Sequence, residues 1–503
     1  MQSTSEKAPC CASRTCRVVV LWTVQLLAIP VCAFVPFGNE ALTALIAVCI
    51  VVGRLLPLCV KRAIKPADVQ KEAPRVANDT PTATESTKST KPVKTRLLWL
   101  DILKLGLTVL VIVHHCTASF LGTGGFAYML GDYLHPFQAF GVAFMALNAS
   151  YFMSLFFFIS AYFTPSSHQR KGEFAFMQDK FTRLGIPFVC YVLVIGPAIN
   201  VLLALLRGQS PGYAPDPGPT WFLAWLCIFN AGYSFRMRAA EAASLTPSAP
   251  PSLAALCLLG ACCGALNAAM MPFVSNLATL PFTFGTFPFY IIFFEGGIRA
   301  RRNGWLDVHL PELSAAERTA ARIVSAIVGA GGFAFTATLY ISGGGLKFMP
   351  AVPGEDPAAG PLPKEDNFDG RDVDTISLGF VLCMLGVGTC VGVFCMAFTV
   401  ALLDWSRLHA NWQTASSRRL CEVAYSAYLV QGLVLPLIVY GYAEALAALG
   451  HPTYFRPGSW ASATRLPEAA LVLGWLATST LSVIGCWALG ALLRCIPGLS
   501  NVL

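Results

Sequence analysis

The stretch "DILKLGLTVLVIVHHC", Asp101 to Cys116, decides how this chain is read. It is almost wholly apolar and long enough for most of a membrane-crossing helix, yet it carries Asp101, Lys104, His114 and His115. A span needs roughly 20 apolar residues to cross about 30 Å of hydrocarbon. Ionisable groups inside a span are costly unless they face protein or a water-filled cavity, so the stretch predicts a helix whose polar stripe lines such a cavity. At about 100° and 1.5 Å per residue, the step from Lys104 to His115 returns to within about 20° of the same face, roughly 16 Å further along. Asp101 and Thr108 fall near that stripe, and His114 points roughly 80° away. Asp101 and Lys104, one turn apart, are also spaced to neutralise each other. His115 has a plainer alternative, an interhelical hydrogen bond.

The pattern recurs down the chain. Of 503 residues 55% are hydrophobic and only 12% charged, against about a quarter charged in soluble domains. This predicts an all-α polytopic membrane protein, with helices at about residues 18–36, 41–59, 97–120, 139–163, 185–206, 219–235, 252–272, 281–298, 322–343, 376–402, 421–447 and 467–493. They divide the chain into an N-terminal tail with a two-helix hairpin (1–60), a linker (61–96), a ten-helix block (97–495) and a short tail (496–503). The formal charge of +8 does not point to nucleic acid, because most Lys and Arg sit in short loops on the side shared by the termini. The positive-inside rule makes that side the cytosol, with an even number of crossings.

The linker, "KRAIKPADVQKEAPRVANDTPTATESTKSTKPVKTR", is rich in Lys, Thr, Ser and Pro and has little to bury, which predicts disorder. The sequon at Asn78 would then be cytosolic and unglycosylated. A second long loop, residues 343–374, is acidic, rich in Pro and Gly, and falls on the far side. Most of the 18 cysteines lie inside apolar spans, which favours packing over disulfides. Cys10, Cys11 and Cys16 precede the first helix, where palmitoylation and unmodified thiols are both open. No cleavable signal peptide is expected. Metal-ligand spacings are lacking, and "GACCG" and "SGGGL" lack the lysine and serine of a phosphate loop. No bound metal or cofactor is therefore expected. His135, His168, His309, His409 and His451 fall in or beside predicted loops, where solvation is the simplest reading.

Lys104-x10-His115 resembles the first core helix of the membrane-bound acyltransferase family 3, which carries a basic residue, ten intervening positions and a histidine. Four more stretches follow in that family's order. "SLFFFISAYFTPSSHQRKGEFAFMQDKFTRLGIPF" (154 to 188) resembles its Phe-rich helix end, basic loop and Arg-Leu-x-x-Pro helix start. "GPTWFLAWL" (218 to 226) resembles its Trp-Phe-Leu segment, "GGIRARRNGWLD" (296 to 307) its Gly-Trp-Leu loop, and "VAYSAYLVQ" (423 to 431) its Tyr-x-x-Tyr-Leu segment. The flavour is that of the branch that modifies bacterial glucans.

The resemblance implies transfer of an acyl group, acetyl- or succinyl-like, from cytosolic acyl-CoA as co-substrate to a hydroxyl of a carbohydrate or related acceptor. In that reading a neutral His115 is the general base. Lys104, Lys180 and Arg183 would hold the anionic CoA, with Lys180 and Arg183 spaced to share a helix face. Asp101, His114, Ser160 and Trp221 would line the substrate pocket. Positive-inside charge explains Lys180 and the "RARR" of Arg299 to Arg302 as well, and an aromatic interface belt explains Trp221 and Phe222. Glu295 is an intramembrane acid for which two readings stay open, pairing with a nearby Arg or a use particular to this chain. One position departs from the family: where a histidine often follows the Tyr-Leu segment, this chain has Gln431, whose amide accepts and donates hydrogen bonds but transfers no proton at neutral pH. Two rivals remain at this level. A proton-coupled transporter would also use intramembrane Asp, Lys and His, although no repeat or matched pair of broken helices accompanies them. A non-catalytic acyl-CoA-binding protein would bind CoA esters without releasing CoA.

Overall fold

The structure, a computed structural model, describes residues 97–121, 136–206, 210–239, 249–274, 287–306, 314–341, 378–451, 467–499 and 502. The expected N-terminal hairpin, the linker, the acidic loop at 343–374, the N-terminal cysteines, Asn78, His135 and His309 lie outside these residues. Among the described residues all regular structure is helical. The long helices are α1 (Leu98–Leu121), α2 (Pro136–Tyr162), a broken rod of short pieces from α3 (Thr164–Lys171) and α4 (Glu173–Lys180) through α5 (Ile186–Cys190) to α6 (Gly196–Leu206), then α7 (Trp221–Ala239), α8 (Leu253–Val274), α9 (Phe287–Arg302), α10 (Ala315–Ile341), α11 (Leu378–His409), α12 (Ala415–Ala448) and α13 (Glu468–Arg494).

Each of the ten spans expected after residue 97 has a helical counterpart. Six helical stretches are long and apolar enough to cross a bilayer: Leu98–Leu121, Ala139–Lys171, Glu173–Leu206, Leu385–His409, Ala415–Ala448 and Glu468–Arg494. The chain is therefore a multi-pass membrane protein. Ten full crossings are more than this stricter measure supports among the described residues. The helix α7 has 19 residues and α9 has 16, and α10 begins with Glu317, Arg318 and Arg322.

The span expected at 185–206 begins at Glu173 instead. Hydropathy starts a span where the charges stop, but here the charges are satisfied within the helix. Asp179 pairs with Lys171 at 2.7 Å and with Arg183 at 3.4 Å. The rod contains two π-turns, Phe181–Gly185 and Tyr191–Ile195, each running into a proline segment. Pro187 and Pro197 have no N–H to give to the carbonyl four residues back, that of Arg183 and that of Leu193. Two tyrosine hydroxyls do so instead: Tyr425 donates to the Arg183 carbonyl, and Tyr213 to the Leu193 carbonyl at 2.9 Å. In lipid an irregular backbone persists only where neighbouring protein satisfies the groups it frees.

The remaining packing follows from small residues and aromatic rings. Helix α8 lies on α11 through Gly260 and Gly264 against Gly392 and Gly388, where any Cβ would overlap the facing carbonyl. The "GACCG" that lacks a phosphate-loop lysine is thus a helix-contact motif of the small-xxx-small kind. Helix α12 starts at a capping box between Thr414 and Ser417 and packs along α13. Between α1, α12 and α13 lies a core that includes Ile112, Cys116, Phe120, Leu435, Val439 and Leu471. Glu295, in α9, pairs with Arg236 at 2.9 Å and Arg299 at 3.2 Å, the first of its two readings.

Candidate active site

Helix α1 lines two cavities in succession, each of about 250 Å³. The first takes Asp101, Lys104 and Thr108 from α1, Ser160 and Phe156 from α2, Phe222 from α7, and Tyr425 and Tyr428 from α12. Its charged groups form an ion pair of 2.7 Å between Lys104 and Asp101, and the Lys104 ammonium sits 5.2 Å from the centre of the Phe163 ring. Paired in this way, two charges are tolerable at a depth where either alone would be expensive.

The second cavity holds His115 together with Tyr191, Asn200, Asp216, Trp221, Gly432 and Pro436. His115 Nδ1 lies 3.1 Å from the amide oxygen of Gln431. Asp216 accepts from the Gly218 backbone N–H at 2.8 Å with one oxygen and from the Asn200 amide at 3.2 Å with the other, which fixes the loop entering Trp221. Trp221 stacks on Tyr290 with ring centres 5.6 Å apart. Pro436 leaves the Gly432 carbonyl without its helical donor, and both residues line the cavity. Gly432 is required there, because a Cβ would overlap the Tyr191 hydroxyl.

The two cavities share a partition. Tyr428 lines the first and donates its hydroxyl to the carbonyl of Pro219, which lines the second. The neighbours Phe222 and Trp221 likewise face one cavity each. The Tyr-x-x-Tyr segment therefore has a structural role at both positions. Tyr425 replaces the hydrogen bond lost at Pro187, and Tyr428 holds the turn before Trp221.

Among the sequence-predicted residues, Asp101, Lys104 and Ser160 meet in the first cavity, while His115 and Trp221 meet in the second. The shared stripe of Lys104 and His115 thus serves two chambers rather than one. His114 lines neither. It is buried against Phe152, ring centres 5.0 Å apart, and its Nδ1 has no hydrogen-bond partner among the described residues. Lys180 and Arg183 line neither of these cavities. A π-turn, Phe181–Gly185, follows Lys180. Arg183 is exposed beside Asp179, and Lys180 lies 5.3 Å from the centre of the Phe176 ring. His168 is not a solvated loop residue. It lies on α3, half-buried, 3.3 Å from the Ser234 hydroxyl.

Tyr191, Asn200 and Asp216 were missed. The first two sit in an apolar run with no periodic polar stripe, and Asp216 in "PDPGPTW" carries only a turn signal. A family model described as an acyltransferase domain matches residues 97–491. No curated protein and no solved structure matches the chain.

Proposed function

The chain belongs to the membrane-bound acyltransferase family 3, and from that premise we propose that it moves an acyl group from cytosolic acyl-CoA to a hydroxyl of a carbohydrate acceptor. The observation that carries this reading is the pair of chambers along α1, one with a lysine and one with a histidine. In this reading the first chamber takes the donor. The Lys104 ammonium meets the anionic head of CoA, and the apolar walls of Phe156, Phe222 and Tyr428 take the thioester arm.

The second chamber takes the acceptor. An aromatic face at Trp221 with Asp216, Asn200 and the Gly432 carbonyl nearby suits a polyhydroxylated ring, which presents an apolar face and a rim of hydroxyls. The acceptor hydroxyl gives its proton to His115 as its oxygen attacks the thioester carbon. The carbon–sulfur bond breaks, the imidazolium returns the proton to the departing thiolate, and the products are the O-acyl ester and free CoA. For this to occur the acyl carbon must pass the partition of Tyr428, Pro219, Trp221 and Phe222.

The test is release of free thiol from acetyl- and succinyl-CoA by purified protein in lipid nanodiscs, with glucan oligosaccharides added. Acceptor-dependent release is expected, reduced by about 10²- to 10⁴-fold in a folded His115→Ala variant, the range for loss of a general base. Undiminished release in that variant would remove His115 from the chemistry. CoA-ester binding without release from any donor and acceptor would sink the enzymatic assignment of this site.

A further inference from the structure

Gln431 is fully buried in α12, and its one hydrogen bond among the described residues is to His115. Its amide nitrogen makes none. A leucine of similar volume would fill this place without stranding a polar group, so the amide needs a reason to be there. Three other residues of α12 each grip a different segment. Cys421 approaches the Asp101 carbonyl at 3.5 Å, Tyr425 holds that of Arg183, and Tyr428 holds that of Pro219. Gln431 is the next residue of this series and the one that grips a side chain. Its mount is firm: α12 is capped at Thr414 and packed along α13.

We propose that Gln431 is a positioning residue, whose amide oxygen accepts the Nδ1–H of His115 and so holds the imidazole in the tautomer with its lone pair on Nε2. This rests on the reading of His115 as the base. An imidazole has one donor and one acceptor nitrogen when neutral, and the partner of one nitrogen sets the role of the other. With Nδ1 kept as the donor, Nε2 takes the acceptor hydroxyl's proton. An amide oxygen does not titrate, so it holds this arrangement at every working pH. A histidine at position 431 would exchange donor and acceptor roles as it gained or lost its own proton. Gln431 thus adds no second proton-carrying group to this contact.

The experiment is ¹⁵N NMR of full-length, histidine-labelled protein in lipid nanodiscs, at a pH where histidine is neutral. The His115 signals are identified by their loss in His115→Gln. Wild type is expected to show a protonated Nδ1 and an unprotonated Nε2. Gln431→Leu should move His115 toward the opposite tautomer, and Gln431→Glu, which can still accept, should keep the native one. Thiol release from acetyl-CoA with a glucan oligosaccharide is followed alongside. The kcat of Gln431→Leu should fall roughly 10- to 100-fold at unchanged KM, the scale seen when an orienting partner is lost, and Gln431→Glu should recover most of it. A wild-type His115 protonated on Nε2, or a tautomer unchanged by Gln431→Leu, overturns the proposal. Full turnover in Gln431→Leu beside an inactive His115→Ala overturns the assignment of Gln431 alone. Full turnover in His115→Ala overturns the base reading and, with it, the purpose assigned to Gln431.

Discussion

Lys104 and Asp101 lie 2.7 Å apart at the wall of one chamber, and that pairing bears on how a donor would be held. An anionic ligand must compete with Asp101 for the ammonium, so Lys104 contributes affinity only once that ion pair loosens. Replacing Lys104 with Ala is expected to raise the KM for acyl-CoA roughly 10- to 100-fold with a smaller change in kcat, the worth of a hydrogen bond to a charged group. Steady-state kinetics of thiol release checks it, and an unchanged KM would place the donor elsewhere. Asp216 makes the matching prediction for the second chamber. Asp216→Ala frees the Gly218 N–H and the Asn200 amide together. It should raise the acceptor KM without altering that for acyl-CoA, and Asp216→Asn should recover part of the loss by still accepting from Gly218. At this scale Lys104 and His115 were legible because charge is rare in an apolar run. Asp216 was not, since an aspartate between prolines reads as a turn until the fold brings it to a histidine 101 positions earlier in the chain.

The broken rod from Glu173 to Leu206 is the element on which both chambers depend. Hydropathy marks it as a span, but it does not disclose that Pro187 and Pro197 come with π-turns or that tyrosines from distant segments repair the lost hydrogen bonds. The tyrosine at 425 and the proline at 187 are one device, written in two places far apart in the sequence. Tyr425→Phe removes only the donor and leaves the Arg183 carbonyl without it. An expected loss of about 0.5–1.5 kcal/mol follows from removing one intramolecular hydrogen bond. It should appear as a lower unfolding temperature in nanodiscs. Equal temperatures for Tyr425→Phe and wild type would mean that another donor reaches Arg183.

At the scale of the whole molecule, sidedness follows from charge. Basic residues collect where α9 ends, at Arg299, Arg301 and Arg302, and where α12 begins, at Arg418 and Arg419. We propose from the positive-inside rule that these ends face the cytosol, an orientation in which residues 343–374 would fall on the far side. A glycosylation acceptor inserted in that loop should be modified in a microsomal translation system, and one inserted at 240–248 should not. The reverse pattern would invert both chambers and place Lys104 away from cytosolic CoA. The sequence by itself determined the all-helical membrane architecture, the approximate bounds of the core helices and the family. These rest on local quantities, namely hydropathy over about 20 residues, helical angle and motif order. Only the tertiary structure decided that Lys104 and His115 face separate chambers, that Tyr428 and Pro219 stand between them, and that Gln431 meets His115. Each of those facts is a contact between segments far apart in the chain, set by how helices broken at proline and close-packed at glycine come together, and no local period encodes it.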